Sequence, residues 1–131
     1  MQNFFKCYET GWCKVDPFFT EPTLQNEGKT TILYSPTFSR GITSVEALYD
    51  TIHQIAERRD WEWIITFHPK ITDHSIINKY QKLAEKFDNV SFERNEGLKT
   101  FQRADVMLCD SSSIILEFML LSKPVVTFKN T

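Results

Sequence analysis

Directly after the apolar run Val106, Met107, Leu108 and Cys109, the chain places Asp110, Ser111, Ser112 and Ser113 in succession. A helix starting at Ser112 or Ser113 leaves its first backbone N–H groups without intrahelical partners. With the positive end of the helix dipole, those donors form an anion site. Small side chains let a phosphate approach, and hydroxyls add donors. The same residues also read as plain N-capping by Ser111 or Ser112, for which one serine suffices. Glu117, further along this helix, can accept hydrogen bonds from ribose hydroxyls, or it is a solvated helix glutamate. Its neighbours Leu116, Phe118 and Met119 are apolar.

A second group is His68-Pro69-Lys70. Pro69 ends a strand and fixes the turn. An imidazole at that rim can donate to a phosphate or protonate a leaving group; otherwise it is structural. A third is Ser35-Pro36-Thr37 with Arg40, where a guanidinium can grip a phosphate in a bidentate fork or simply decorate a surface turn. His53 and His74 fall in predicted helices and read as structural, and Trp12, Trp61 and Trp63 as packing residues. The sequence contains no Walker glycine pattern, no GxGxxG and no GxSxG elbow.

The elements that must position these groups follow from the apolar pattern. Strands are predicted over 31–34, 61–67, 90–92, 106–109 and 125–128. Helices are predicted from an N-cap at Ser44 through Ala56, from Asp73 or Ser75 through Phe87, over 97–103 and over 112–121. Residues 20–30 are polar and turn-rich, as a linker is. Regular alternation of strand and helix predicts βαβ units and a doubly wound parallel sheet of about five strands. In such a sheet both faces are covered, so the strands are continuous apolar runs. Right-handed crossovers bring every strand's carboxyl end to one edge, where ligands bind. The segments following the strands, 35–40, 68–70, 93–95, 110–113 and 129–131, are polar, basic or hydroxyl-bearing.

Composition bounds the reading. The chain has 131 residues, 41% hydrophobic and 24% charged, which suits one globular domain. A formal net charge of −2 argues against nucleic-acid binding through a general basic surface. No apolar run approaches the roughly 20 residues that span a bilayer. Cys7, Cys13 and Cys109 lack metal-ligand spacing and read as reduced thiols, implying a cytoplasmic protein without a metal. A crossover helix is due after 125–128, yet the sequence ends three residues later, so a fragment of a longer protein is expected. Residues 31–131 read as the domain that carries the sheet, and the polar stretch before it as a linker or loop.

Four stretches resemble one family: T-G-W-C-K-V-D at 10–16, I-L-Y-S-P-T-F at 32–38, F-H-P-K at 67–70 and C-D-S-S-S-I-I-L-E-F-M-L-L-S-K-P-V at 109–125. Together they are similar to the C-terminal half of the CDP-glycerol glycerophosphotransferases, the teichoic-acid-type polymerases and primases. More distantly they resemble UDP-N-acetylglucosamine 2-epimerases. The resemblance implies a Rossmann-like lobe of a GT-B fold, with 1–30 as an inter-lobe linker or first segment, 31–131 as the nucleotide-donor-binding domain and the acceptor lobe elsewhere. It implies transfer of glycerol phosphate from CDP-glycerol to a polymer or lipid-linked acceptor in teichoic-acid-like or capsular polymer synthesis, with release of CMP and no cofactor. His68 is then the catalytic residue. Thr37, Arg40, Lys70, Asp110, Ser111, Ser112 and Ser113 hold the donor and its phosphates, Asp110 shaping the turn, and Glu117 reaches the ribose. The full-length protein is expected in the cytoplasm or at the inner face of the membrane. Ser111 stands where the family has Tyr, Cys13 where it has Pro, and Glu117 where it has Asp. A UDP-sugar-dependent glycosyltransferase or epimerase of the same fold is the alternative. A nucleotide- or flavin-binding module is the non-enzymatic one, although residues 35–40 lack the acids a receiver-like site requires.

Overall fold

A computed structural model describes residues 6–22, 28–94 and 97–129. Residues 23–27 of the expected linker, and Asn95, Asn130 and Thr131 of the expected edge segments, lie outside the described residues.

The five strands are β1 (Thr31–Ser35), β2 (Glu62–Thr66), β3 (Val90–Glu93), β4 (Val106–Cys109) and β5 (Val125–Thr127). All pair in parallel, in the order β3-β2-β1-β4-β5. This is the doubly wound sheet expected from the alternation of elements. Between the strands run α2 (Tyr49–Arg58), α3 (His74–Lys86), α4 (Leu98–Arg103) and α5 (Ile114–Met119). Ahead of the sheet lie a single 3-10 turn, Cys13–Val15, and α1 (Pro17–Thr20).

The strands' pleat sends alternate side chains to opposite faces, and two cores result. Tyr34, Trp63, Ile65 and Phe67 point to one face and meet Ile52 of α2 and Tyr80 and Leu83 of α3. Leu33, Ile64 and Met107 point to the other and meet Phe101 of α4 and Phe118 of α5. Val15 and Phe18 are buried in this second core, so the first segment packs on the sheet instead of merely leading to it. α3 starts where expected: the Asp73 carboxylate accepts the N–H groups of Ser75 and Ile76.

α2 does not start where expected. Ser44 is not its N-cap; the helix begins five residues later, at Tyr49, with Leu48 in the capping position and no side-chain cap. Ser44 is committed elsewhere, as described below. α5 is also shorter than the predicted 112–121, because Leu120 to Ser122 turn out of the helix through bonds to Glu117, Phe118 and Met119. The Lys-Pro pair that follows has a structural use. Lys123 Nζ donates to the carbonyls of Phe101, Gln102 and Ala104 at 3.3, 2.8 and 2.6 Å, closing the carboxyl end of α4 against the turn into β5.

Candidate nucleotide-binding site at the switch point

The chain moves outward from β1 to β2 to β3 and then returns to the other side of β1 to form β4. The carboxyl ends of β1 and β4 therefore flank the topological switch point, where α/β sheets open a crevice. The register sets Ser35 beside Cys109, so the residues that follow each are neighbours in space.

Asp110 occupies this point and is 2% exposed. One of its oxygens accepts the Thr37 N–H at 2.6 Å; the other accepts the Ser44 N–H and hydroxyl, each at 2.7 Å. Since the Ser44 proton goes to Asp110, the Tyr34 hydroxyl is the donor in its 2.8 Å contact with Ser44 Oγ. Burial raises the Tyr34 pKa, so the phenol keeps its proton and the chain Tyr34 to Ser44 to Asp110 is fully paired. Asp110 was expected in the phosphate-binding set and as the residue that shapes the turn. Both its oxygens are taken up by the β1–α2 loop, and a buried carboxylate offers a phosphate only repulsion. Beneath it, burial and then the Asp110 charge push the Cys109 thiol up to about 11, so it is no nucleophile at neutral pH.

The serines that follow are differently placed. Ser111 and Ser113 are exposed and Ser112 is half-buried. Ser113 makes no side-chain cap, and the Ser112 hydroxyl reaches the Ile114 N–H only at 3.4 Å. Among the described residues the backbone N–H groups of Ser111, Ser112 and Ser113 have no acceptor. Capping therefore takes one long acceptor contact from this run and leaves its N–H groups and hydroxyl protons to donate.

Glu117 is nearly buried, and its Oε1 receives Lys14 Nζ at 2.6 Å. The T-G-W-C-K-V-D segment is thereby tied to α5 over a separation of 103 residues. Glu117 is thus no solvated helix glutamate, and Lys14, part of the 10–16 stretch but given no role from the sequence, is its partner.

His68 stands half-buried at the rim beyond β2. Its Nδ1 accepts the Lys70 N–H at 3.0 Å, which leaves Nε2 to carry the proton of the neutral ring. The turn is closed by the Ile71 N–H on the His68 carbonyl. Arg94 clamps it from beyond β3, donating to the carbonyls of Ile71 and Pro69 at 3.2 Å each. Arg94 lay in a polar segment noted in the sequence, but nothing local marks it as the residue that holds the His-Pro-Lys turn. The Phe38 ring lies 4.8 Å from the His68 ring, and Lys70 Nζ lies 4.8 Å from the same Phe38 centroid.

Thr37, Arg40 and Lys70 line one cavity of about 860 Å³, between the loops that follow β1 and β2. The serines and Glu117 are not part of its wall. The expected site residues thus form two groups, on either side of the β1–α2 loop that Asp110 holds. Among the described residues there is no cluster of three or more His, Cys, Asp or Glu able to hold a metal ion. No helix there is long and apolar enough to cross a membrane.

Comparison with known proteins bears on this arrangement. Residues 5–130 match the family model described as CDP-Glycerol:Poly(glycerophosphate) glycerophosphotransferase. The chain is 26% identical over 123 residues to the teichoic acid glycerol-phosphate primase of Bacillus subtilis (strain 168), a match covering 86% of this chain and 30% of that protein. Among solved structures, it resembles S. aureus MnaA in a co-structure with UDP, with a TM-score of 0.60 and 16% identity, over 93% of this chain and 31% of that one. It also resembles the UDP-GlcNAc 2-epimerase of Neisseria meningitidis bound to UDP-GlcNAc, with a TM-score of 0.58 and 20% identity, over 88% of this chain and 29% of that one. At these identities the structural likeness concerns the fold, which is Rossmann-like.

Proposed function

Because the chain belongs to the CDP-glycerol:poly(glycerophosphate) glycerophosphotransferase family, we propose that it is the donor-binding lobe of such a transferase, one of the two lobes of a GT-B fold. The reaction is attack by an acceptor hydroxyl oxygen on the β-phosphorus of CDP-glycerol. The new P–O bond joins glycerol phosphate to the acceptor, the bond to the bridging oxygen breaks, and CMP leaves. Positioning and charge stabilisation dominate such chemistry.

The observation that carries this reading is the serine run at the switch point. Among the described residues its N–H groups have no acceptor and its hydroxyls are barely used, and it sits beside a loop locked by Asp110. In this reading Ser111, Ser112 and Ser113 donate to the diphosphate, while Asp110 positions and does not touch it. His68, with Nδ1 held by the Lys70 N–H, presents Nε2–H to the leaving phosphate. Glu117 keeps Oε1 for Lys14 and turns its second oxygen to the ribose. The base that deprotonates the acceptor hydroxyl is supplied, in this reading, by a part of the longer protein outside this chain.

Thermal-shift measurements with CDP-glycerol, CDP, UDP-N-acetylglucosamine and FMN test the reading. CDP-glycerol and CDP are expected to raise the melting temperature of this chain. Stabilisation by UDP-N-acetylglucosamine alone would move it to sugar-nucleotide chemistry, and stabilisation by FMN alone would sink it.

A further inference from the structure

In the reading above the donor goes to the serines, His68 and Glu117, so the 860 Å³ cavity between the β1–α2 and β2–α3 loops, whose Thr37, Arg40 and Lys70 were expected to hold the donor, is left for another ligand. Its wall carries Arg40 and Lys70 as cations, Glu46 and Asp73 as acids, and the hydroxyl of Thr72. Arg40 is exposed and makes no hydrogen bond or ion pair among the described residues, although it lies in the field of Asp73. The Lys70 ammonium lies over the face of the Phe38 ring and makes no ion pair among the described residues. Among the described residues Phe38 is the sole aromatic one of the wall, and it is already engaged by Lys70 and by the His68 ring. A nucleobase entering here would find its stacking partner occupied. What the wall offers is a mixture of separate cations and separate hydrogen-bond acceptors.

That mixture suits a ligand in which phosphates alternate with hydroxyl-bearing carbons. Arg40 and Lys70 pair with successive phosphates, and the free oxygens of Glu46 and Asp73 accept the hydroxyls between them. Three donors from Ser75 and Ile76 all fall on a single Asp73 oxygen, leaving the other open. The volume exceeds what one glycerol phosphate fills. The wall shared with the donor crevice is the loop from Thr37 to Ser44, pinned by Asp110 on its far side.

We propose that this cavity is a subsite for the phosphodiester-linked polyol chain that accepts the transferred unit, separate from the nucleotide subsite at the serines. The inference rests on the transferase reading above, because it is the polymeric acceptor that makes such a subsite necessary. It places acceptor and donor on opposite sides of one rigid loop, with His68 and Phe38 at the junction.

The test uses amide chemical shifts of this chain, titrated with a glycerol-phosphate trimer, with inorganic phosphate and with CDP. The trimer is expected to shift the amides of Thr37, Arg40, Lys70 and Thr72, and to do so with its Kd changed less than about threefold by saturating CDP. Arg40→Gln with Lys70→Gln is expected to weaken the trimer at least tenfold. Displacement of the trimer by CDP, or equal shifts from inorganic phosphate, would overturn the separate subsite and leave the donor reading intact. If CDP fails to move Ser111 to Ser113 while the trimer still shifts the cavity, the donor reading fails and the polyol-phosphate subsite stands.

Discussion

The carboxylate of Asp110 accepts the backbone N–H of Thr37 at 2.6 Å, joining residues 73 apart in sequence. The same carboxylate holds Ser44 by two bonds, so one buried side chain sets the whole β1–α2 loop. Asp110→Ala leaves those donors buried without acceptors, and a hydrogen bond to a charged group contributes about 1.5–3 kcal/mol. Loss of about 2–4 kcal/mol is expected by urea denaturation, with Ser44→Ala costing about 1 kcal/mol. Because the pair is in contact, the double variant should lose less than the sum. Strict additivity would show that the bonds act independently.

Ser112→Ala with Ser113→Ala is expected to weaken CDP binding by about 0.5–1.5 kcal/mol per hydroxyl. The melting temperature should hardly change, since the Ser112 bond to Ile114 is long. Calorimetry showing unchanged affinity with a lowered melting temperature would mark the serines as caps.

His68 presents Nε2–H only while Nδ1 receives the Lys70 N–H. If the proposed reaction is that of the longer protein, His68→Ala there is expected to lower kcat by about 10²–10³, the range for losing one transition-state donor. His68→Gln should recover part of this, because its amide reaches towards the Nε2 position. Equal losses in both variants would mean that the ring itself, tilted against Phe38, is what the site requires.

Asp73 has its pKa lowered by the Ser75 hydroxyl and by the N–H groups of Ser75 and Ile76. A carboxylate depressed in the folded state stabilises above its unfolded pKa, and that contribution is lost as pH falls through the folded value. Asp73→Asn is therefore expected to flatten the fall in melting temperature between pH 5 and pH 2, roughly the interval over which an exposed carboxylate titrates. An unchanged acid limb would place the sensitivity in other carboxylates.

Cys7 and Cys13 are exposed, whereas Cys109 is buried with its thiol pushed up to about 11. A disulfide reagent at about pH 8, close to the ordinary thiol pKa, is expected to titrate Cys7 and Cys13 quickly. Cys109 should react only on unfolding. Rapid reaction of all three would mean that β4 opens readily.

The architecture was legible because the strands are apolar runs covered on both faces, as Leu33 and Tyr34 show by entering opposite cores. What spacing could not show was where polar groups find distant partners. Ser44 has the chemistry of an N-cap, yet its N–H and hydroxyl go to a residue 66 positions away. Glu117 stood out among apolar neighbours, but its partner Lys14 lies near the other end of the chain. Arg94 clamps the His68 turn through backbone carbonyls, which no side-chain pattern records. The serine run was visible as a cluster of donors. Which of those donors stay unused depends on the short α5 and its turn.

The strand order also carries a kinetic consequence. β1, β2 and β3 are neighbours in both sequence and space, so their half of the sheet can assemble from local crossovers. β4 must instead return past them to pair with β1, a long-range closure of the kind that slows folding. Chains emerge amino terminus first during synthesis, so the strand that brings Asp110 arrives after the loop it must organise. The crevice then matures after the β1–β2–β3 half of the sheet. In refolding, helical signal should recover before nucleotide capture does.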